Sequence, residues 1–449
     1  MSDNGKRREQ RRKRRIRGQI LSYGFTAVVL AAVLAGCVLG VRAAAGAVIR
    51  RAQEREQSRQ AAIEESQAAE SQAAEEAVAA MLQEAVEEQE TQETESAYSP
   101  EEALEELVEE SVASLTLEQK VAGLFFVTTE QITGVAQAVQ AGDGTREALA
   151  KYPVGGLIYS KQNIQSEEQI QEMLENTVSY SSFPLFLGIE EEGGKLSPVA
   201  DALQLDKVDD MADVGASGDA QAAYDAGFAI GSYLSSYGFN LDFAPSADLY
   251  AQDSANAART FSQDAQTQAQ LALSAAQGMQ AAGVSACLKH FPGQGRAQGD
   301  PADGPSETTR TKEEMAAEEF LPFQAAVQGG CDMIMVGHVS ASAILGEDSG
   351  PASLSDEMIT GILRKELGYD GIIITDALNM AAVTHYYESD VAAILALKAG
   401  ADMVLEPEDF SLAYEGVLEA VQNGTISEER INDSLARIYR VKLRGRISQ

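Results

Sequence analysis

From Val112 onward the chain alternates short apolar runs with amphipathic stretches, and no other feature restricts its fold as much. The runs are VAGLFFV (from Val121), VGGLIYS (Val154), FPLFLGIE (Phe183), FNLDFAP (Phe239), VSACLKH (Val284), CDMIMVGH (Cys331), DGIIITD (Asp370) and ADMVLEP (Ala401). Between them lie helical patterns such as SEEQIQEMLENTVSY and DAQTQAQLALSAAQGMQAAG. Strands that are apolar throughout, rather than on alternate residues, suit a parallel sheet covered on both faces. Eight strand and helix repeats over residues 112–449 predict an α/β fold, a (β/α)8 TIM-type barrel, with a doubly wound open sheet as the alternative.

Polar residues gather where these runs end: Glu190 and Glu192, Asp242, Lys289 and His290, His338, Asp376, Glu406. One such residue is commonly a cap or a satisfied buried charge. A whole series is expected where strand ends converge on one rim, the place where barrels of this kind carry their active sites.

The first hundred residues differ in texture. Residues 1–17 form a basic head, KRREQRRKRRIR, and an uncharged stretch follows from Gly18 to Val41. About 20 apolar residues suffice to cross a bilayer, and a basic flank stays on the cytoplasmic side. Residues 18–49 are therefore expected to form a transmembrane signal anchor, with the rest of the chain extracytoplasmic. Within this segment LAGC (Leu34 to Cys37) resembles a lipobox, so a lipoprotein signal with Cys37 acylated is the alternative.

Residues 50–111 are rich in Glu, Ala, Gln and Ser, with no Lys or Arg between Arg59 and Lys120. Lacking regularly spaced large apolar residues, they predict a solvated stalk. As a helix it would reach ~80–90 Å.

The formal net charge of −35 argues against nucleic acid as a partner. Two of the three cysteines, Cys287 and Cys331, sit inside apolar runs and read as buried thiols. The three histidines are scattered and no phosphate-cradling glycine motif occurs, so neither a metal nor an organic cofactor is implied.

The motifs from Leu115 to Arg446 resemble the β-N-acetylhexosaminidases of glycoside hydrolase family 3 in their short, barrel-only form. VGGLIYSKQNI resembles the second strand and loop of that family, LGIEEEGGKL its D-x-E-G-G-R segment, and YGFNLDFAPSADLY its N-x-D-F-A-P-x-x-D stretch. ARTF, CLKHFPGQG and the long DGIIITDALNM string follow in the family's order. The resemblance implies retaining hydrolysis of β-linked N-acetylglucosamine, expected in cell-wall glycan such as peptidoglycan. It implies Asp376 as nucleophile, a residue that would otherwise read as a helix N-cap. It also implies Glu190, Arg259, Lys289 and His290 as sugar-binding residues, with His338 as a further substrate contact or a structural histidine.

The departures from the family pattern fall in two places, the loop after His290 and the segment from Glu190 to Pro198. In KHFPGQGRAQGDPADG the family's Asp-x-His pair falls on Asp300 and Ala302, so the proton-carrying histidine is replaced by alanine. Gln294 replaces a second loop histidine, Glu190 replaces an aspartate, Lys195 an arginine, and Pro198 a substrate-binding arginine. Two outcomes are open: Asp300, Asp303 or Glu307 serves as the acid, with Asp303 the first choice, or the barrel binds glycan without cleaving it.

Overall fold

The computed structural model describes residues 99–347 and 350–447. The basic head, the expected membrane segment and most of the expected stalk lie outside them. Among the described residues no helix is long and apolar enough to cross a membrane.

In chain order the strands are β1 (Phe125–Thr128), β2 (Gly156–Ile158), β3 (Phe186–Ile189), β4 (Leu241–Asp242), β5 (Ser285–Phe291), β6 (Ser306–Thr308), β7 (Met333–Val336), β8 (Val339–Ala341), β9 (Ile372–Thr375) and β10 (Val404–Leu405). Eight of them form one parallel sheet in the order β10-β1-β2-β3-β4-β5-β7-β9. Its two ends meet at a parallel bridge between Ile374 and Met403. There the Thr375 amide donates to the Met403 carbonyl at 3.2 Å and the Met403 amide to the Ile373 carbonyl at 3.1 Å. The sheet thus curls into the expected TIM-type barrel rather than an open sheet.

Inside the barrel Phe126 lies edge-on to Phe243, ring centres 5.0 Å apart. The space for its ring comes from the neighbouring strands. A Cβ on Gly156 would stand 2.4 Å from the Phe126 ring, and one on Gly188 2.7 Å from it. Any larger residue at either position would displace that ring.

Two stretches differ from the expectation. The run from Val121 begins as a helix, Leu117–Ala122, and the strand starts only at Phe125. Thr116 and Gln119 form a reciprocal capping box that outweighs the apolar strand pattern over these few residues. Part of the expected stalk also packs. Pro100–Ala113 is a helix capped by Ser99 and Glu102 that buries Leu104, Val108 and Val112. It lies against the C-terminal helix, where Arg440 grips Glu105 with two hydrogen bonds of 2.5 and 2.8 Å. Leucine and valine spaced four apart, at 104, 108 and 112, supply the apolar stripe that the surrounding glutamates obscure.

Candidate active site

The site grows from the C-terminal ends of the strands. Beyond β3, buried Glu192 receives the Arg259 guanidinium through two hydrogen bonds, 2.8 and 2.7 Å. Lys289, at the end of β5, lies 2.7 Å from Glu192 and 2.5 Å from Glu190. Burial alone would raise the Glu192 pKa, but the Lys289 and Arg259 charges outweigh it and hold the carboxyl at about 2. Burial lowers the Lys289 pKa, and the two glutamates reverse this to leave it above the ordinary lysine range. The web is therefore a fixed set of charges, with half-exposed Glu190 turned toward solvent.

His290 meets buried Asp248 at 2.6 Å through Nδ1, and the Gln294 amide donates to the other Asp248 oxygen at 2.6 Å. Burial raises the Asp248 pKa, but His290 and these hydrogen bonds bring it below the ordinary range. Asp242 behaves in the opposite way. Its Oδ1 accepts from the Glu191 amide at 2.9 Å, its Oδ2 has no partner, and burial keeps its pKa well above normal.

Asp376 follows β9 and is 4% exposed. Its Oδ1 accepts from the Ala377 amide at 2.8 Å. The next helix starts only at Ala381 with Met380 as its N-cap, so the Asp376 carboxylate does not cap it. His338 stands behind this turn rather than on the cavity wall. Its Nε2 donates to the Ala377 carbonyl at 2.9 Å, Ser353 lies 2.7 Å from its Nδ1, and burial lowers its pKa. Its surroundings make it a support for the Asp376 turn.

The loop after β5 is held from several sides. The Ala382 amide donates to the Pro301 carbonyl at 3.0 Å, and β6 within the loop pairs in parallel with β8. Arg310 reaches Glu318 at 2.8 Å and Glu319 at 3.0 Å. Asp300 reaches the cavity wall, with its Oδ1 taking the Ala302 amide at 3.0 Å. Asp303 and Glu307 are exposed and line no part of that wall, because the turn at 301–304 carries Asp303 outward and Glu307 sits on β6.

The resulting cavity measures about 270 Å³, and Asp376, Glu190, Arg259, His290, Asp300 and Glu406 are on its wall. A second cavity of about 420 Å³ adjoins it, lined by Lys161, Lys195 and Ser197 and sharing Ile158, Glu190 and Glu406 with the first. Glu406 is the residue that sequence reasoning noted only as a polar strand end. An acidic side chain closing the apolar run MVL was the available signal. Burial, then the charges of Asp376, Glu190 and Glu130, raise its carboxyl pKa to about 7. Among the described residues no group of three or more His, Cys, Asp or Glu side chains is arranged to hold a metal ion. Cys287 and Cys331 are buried free thiols.

Residues 116–441 match the family described as glycosyl hydrolase family 3 N terminal domain. The chain belongs to glycosyl hydrolase family 3. As a family 3 barrel it is 30% identical over 326 residues to beta-hexosaminidase A of Pseudoalteromonas piscicida, covering 66% of this chain and 54% of that protein. It is 32% identical over 299 residues to a beta-hexosaminidase of Idiomarina loihiensis, covering 65% of this chain and 88% of that one. Among solved structures it superposes on a family 3 beta-N-acetylglucosaminidase from Paenibacillus sp. str. FPU-7 with a TM-score of 0.69 and 34% identity, over 75% of this chain and 64% of that one. The chain thus spans a little over half the length of the first of these relatives and most of the second.

Proposed function

We propose that this family 3 glycoside hydrolase removes β-linked N-acetylglucosamine from a glycan by a retaining mechanism with Asp376 as nucleophile. The observation that carries the reading is Asp376 itself: a nearly buried carboxylate at a barrel strand end, on the wall of a sugar-sized cavity, with one oxygen held by a backbone amide. An Asp376 oxygen attacks the anomeric carbon as the bond to the leaving oxygen breaks and that oxygen takes a proton. Water then attacks the same carbon, loses a proton to a base and frees the carboxylate. Glu190, Arg259 and His290 on the cavity wall supply donors and acceptors for sugar hydroxyls and the acetamido group, and buried Glu192 and Lys289 hold Arg259 and Glu190 in place. The N-terminal apolar segment behind a basic head supports tethering of the barrel outside the cytoplasm, with peptidoglycan-derived glycan as substrate.

Purified full chain in detergent, given an aryl β-N-acetylglucosaminide, should release the phenol and the sugar with the β configuration. An activated fluorosugar should label Asp376, and labelling of a different carboxylate would refute the nucleophile assignment. A second reading, binding without cleavage, draws on the absence of histidine from the loop after His290. Binding of N-acetylglucosamine oligomers without turnover of any glycoside would establish it instead.

A further inference from the structure

We infer that Glu406, at the end of β10, donates and takes back the proton of this reaction, in a loop-independent replacement for the missing histidine. The inference rests on the retaining reading above. The loop between Phe291 and Arg310 holds no histidine, and of its carboxylates only Asp300 reaches the cavity. His290 is engaged by Asp248, both ring nitrogens of His338 are in contact with protein groups, and His385 is exposed outside the cavity.

Three geometric observations meet at Glu406. The Ile374 to Met403 bridge aligns β9 with β10, so Asp376 and Glu406 sit on adjoining strand ends. Both side chains line the same cavity, as the two carboxyls of a retaining site must. Glu406 also stands on the wall common to the two cavities, where a bond joining a sugar in one to a leaving group in the other would pass. Its backbone has φ 40°, a left-handed conformation unusual for a residue with a side chain. That conformation is held by its own amide, which donates to the Phe126 carbonyl at 2.8 Å, and by the Leu378 amide donating to the Leu405 carbonyl at 2.9 Å. Backbone held this way clusters where a side chain must be aimed.

The chemistry agrees with the placement. Among the described residues the Glu406 carboxyl makes no hydrogen bond, so its proton is not committed elsewhere. The charges facing it are negative: Asp376 from β9, Glu190 from the end of β3, and Glu130 from the helix after β1. Of the cations around the site, Lys289 and Arg259 are held by Glu190 and Glu192, and Lys161 and Lys195 line the adjoining cavity that Glu406 shares. Burial and these charges keep Glu406 protonated up to about pH 7 while the substrate binds. In the first step its proton passes to the glycosidic oxygen as that oxygen leaves the anomeric carbon and Asp376 bonds to it. In the second, the Glu406 carboxylate takes a proton from the water that displaces Asp376.

The test compares Glu406→Gln with wild type, both as full chain, on a disaccharide of N-acetylglucosamine and on a dinitrophenyl glycoside of the same sugar. The disaccharide kcat/KM should fall about 10²- to 10⁴-fold while that for the dinitrophenyl glycoside falls less than about 10-fold, because only the poor leaving group needs the proton. The falling limb of the wild-type disaccharide pH profile near 7 should disappear, and azide should restore turnover of Glu406→Ala as the β-glycosyl azide. Equal losses on both substrates, with normal melting curves, would leave Glu406 a positioning residue and overturn the inference. So would the leaving-group signature and azide rescue appearing in Asp300→Asn instead. In either case labelling at Asp376 would leave the retaining reading standing, whereas absence of labelling and turnover in wild type would remove both.

Discussion

The two ends of the barrel differ in whether every carboxylate finds a partner. At the N-terminal end Asp402 is fully buried and each oxygen is partnered. Arg364 reaches it at 2.6 Å, the Ile373 amide at 2.9 Å, the Ser434 hydroxyl at 2.7 Å and Arg437 at 3.3 Å. At the C-terminal end Glu192 and Asp248 are likewise paired, but Asp242 has an orphaned oxygen, and the partly buried Glu406 carboxyl has no protein partner among the described residues. A buried carboxyl left without a partner gives up its charge, as the raised pKa of both groups shows, and of the two Glu406 lines the cavities. One end therefore holds the fold together, and the other keeps polar groups available for a ligand.

The sharpest way to break this contrast is Asp376→Asn. Turnover should fall by about 10⁴-fold or more with an unchanged melting temperature, measured by phenol release and calorimetry. Next, Asp402→Ala should destabilise the domain by about 3–5 kcal/mol in urea unfolding, since three arginines lose their counter-charge, while kcat/KM per folded molecule stays the same. Loss of activity without loss of stability in that variant would erase the difference between the two ends.

The third effect follows from the raised Glu406 pKa. A folded state that holds this proton more tightly than the unfolded chain gains stability at low pH. That gain fades as pH rises from the ordinary carboxylate range through about 7. Glu406→Gln should thus be more stable than wild type at pH 8, on the order of 2 kcal/mol, and indistinguishable from it near pH 4. A constant difference at all pH values would assign the effect to packing. Smallest is Glu105→Ala, which breaks a half-exposed pair with Arg440 and should cost less than about 1 kcal/mol by the same urea measurement.

Much of this architecture was legible in the sequence, because an apolar run such as IIIT or a helical pattern such as the one from Glu167 to Tyr180 carries its signal within a few residues. The same holds for Asp376, whose place follows from the apolar run it ends. The run from Val121 was misleading because its deciding feature, the Thr116 cap, lies just upstream. The stripe Leu104, Val108 and Val112 gained meaning only through the C-terminal helix that covers it, and Glu105 meets its partner Arg440 across most of the domain sequence.

The chain's text by itself determined the repeating strand and helix order, the polar strand ends and a loop after His290 that holds no histidine, since each is a matter of local composition and order. Only the tertiary structure decided which carboxylates share a cavity. It turned Asp303 outward, put His338 behind Asp376 as a support and closed the barrel so that Glu406 adjoins Asp376. The reason is physical: burial, charge proximity and the resulting protonation state depend on what neighbouring strands bring together, and that pairing is written in no single stretch of the chain.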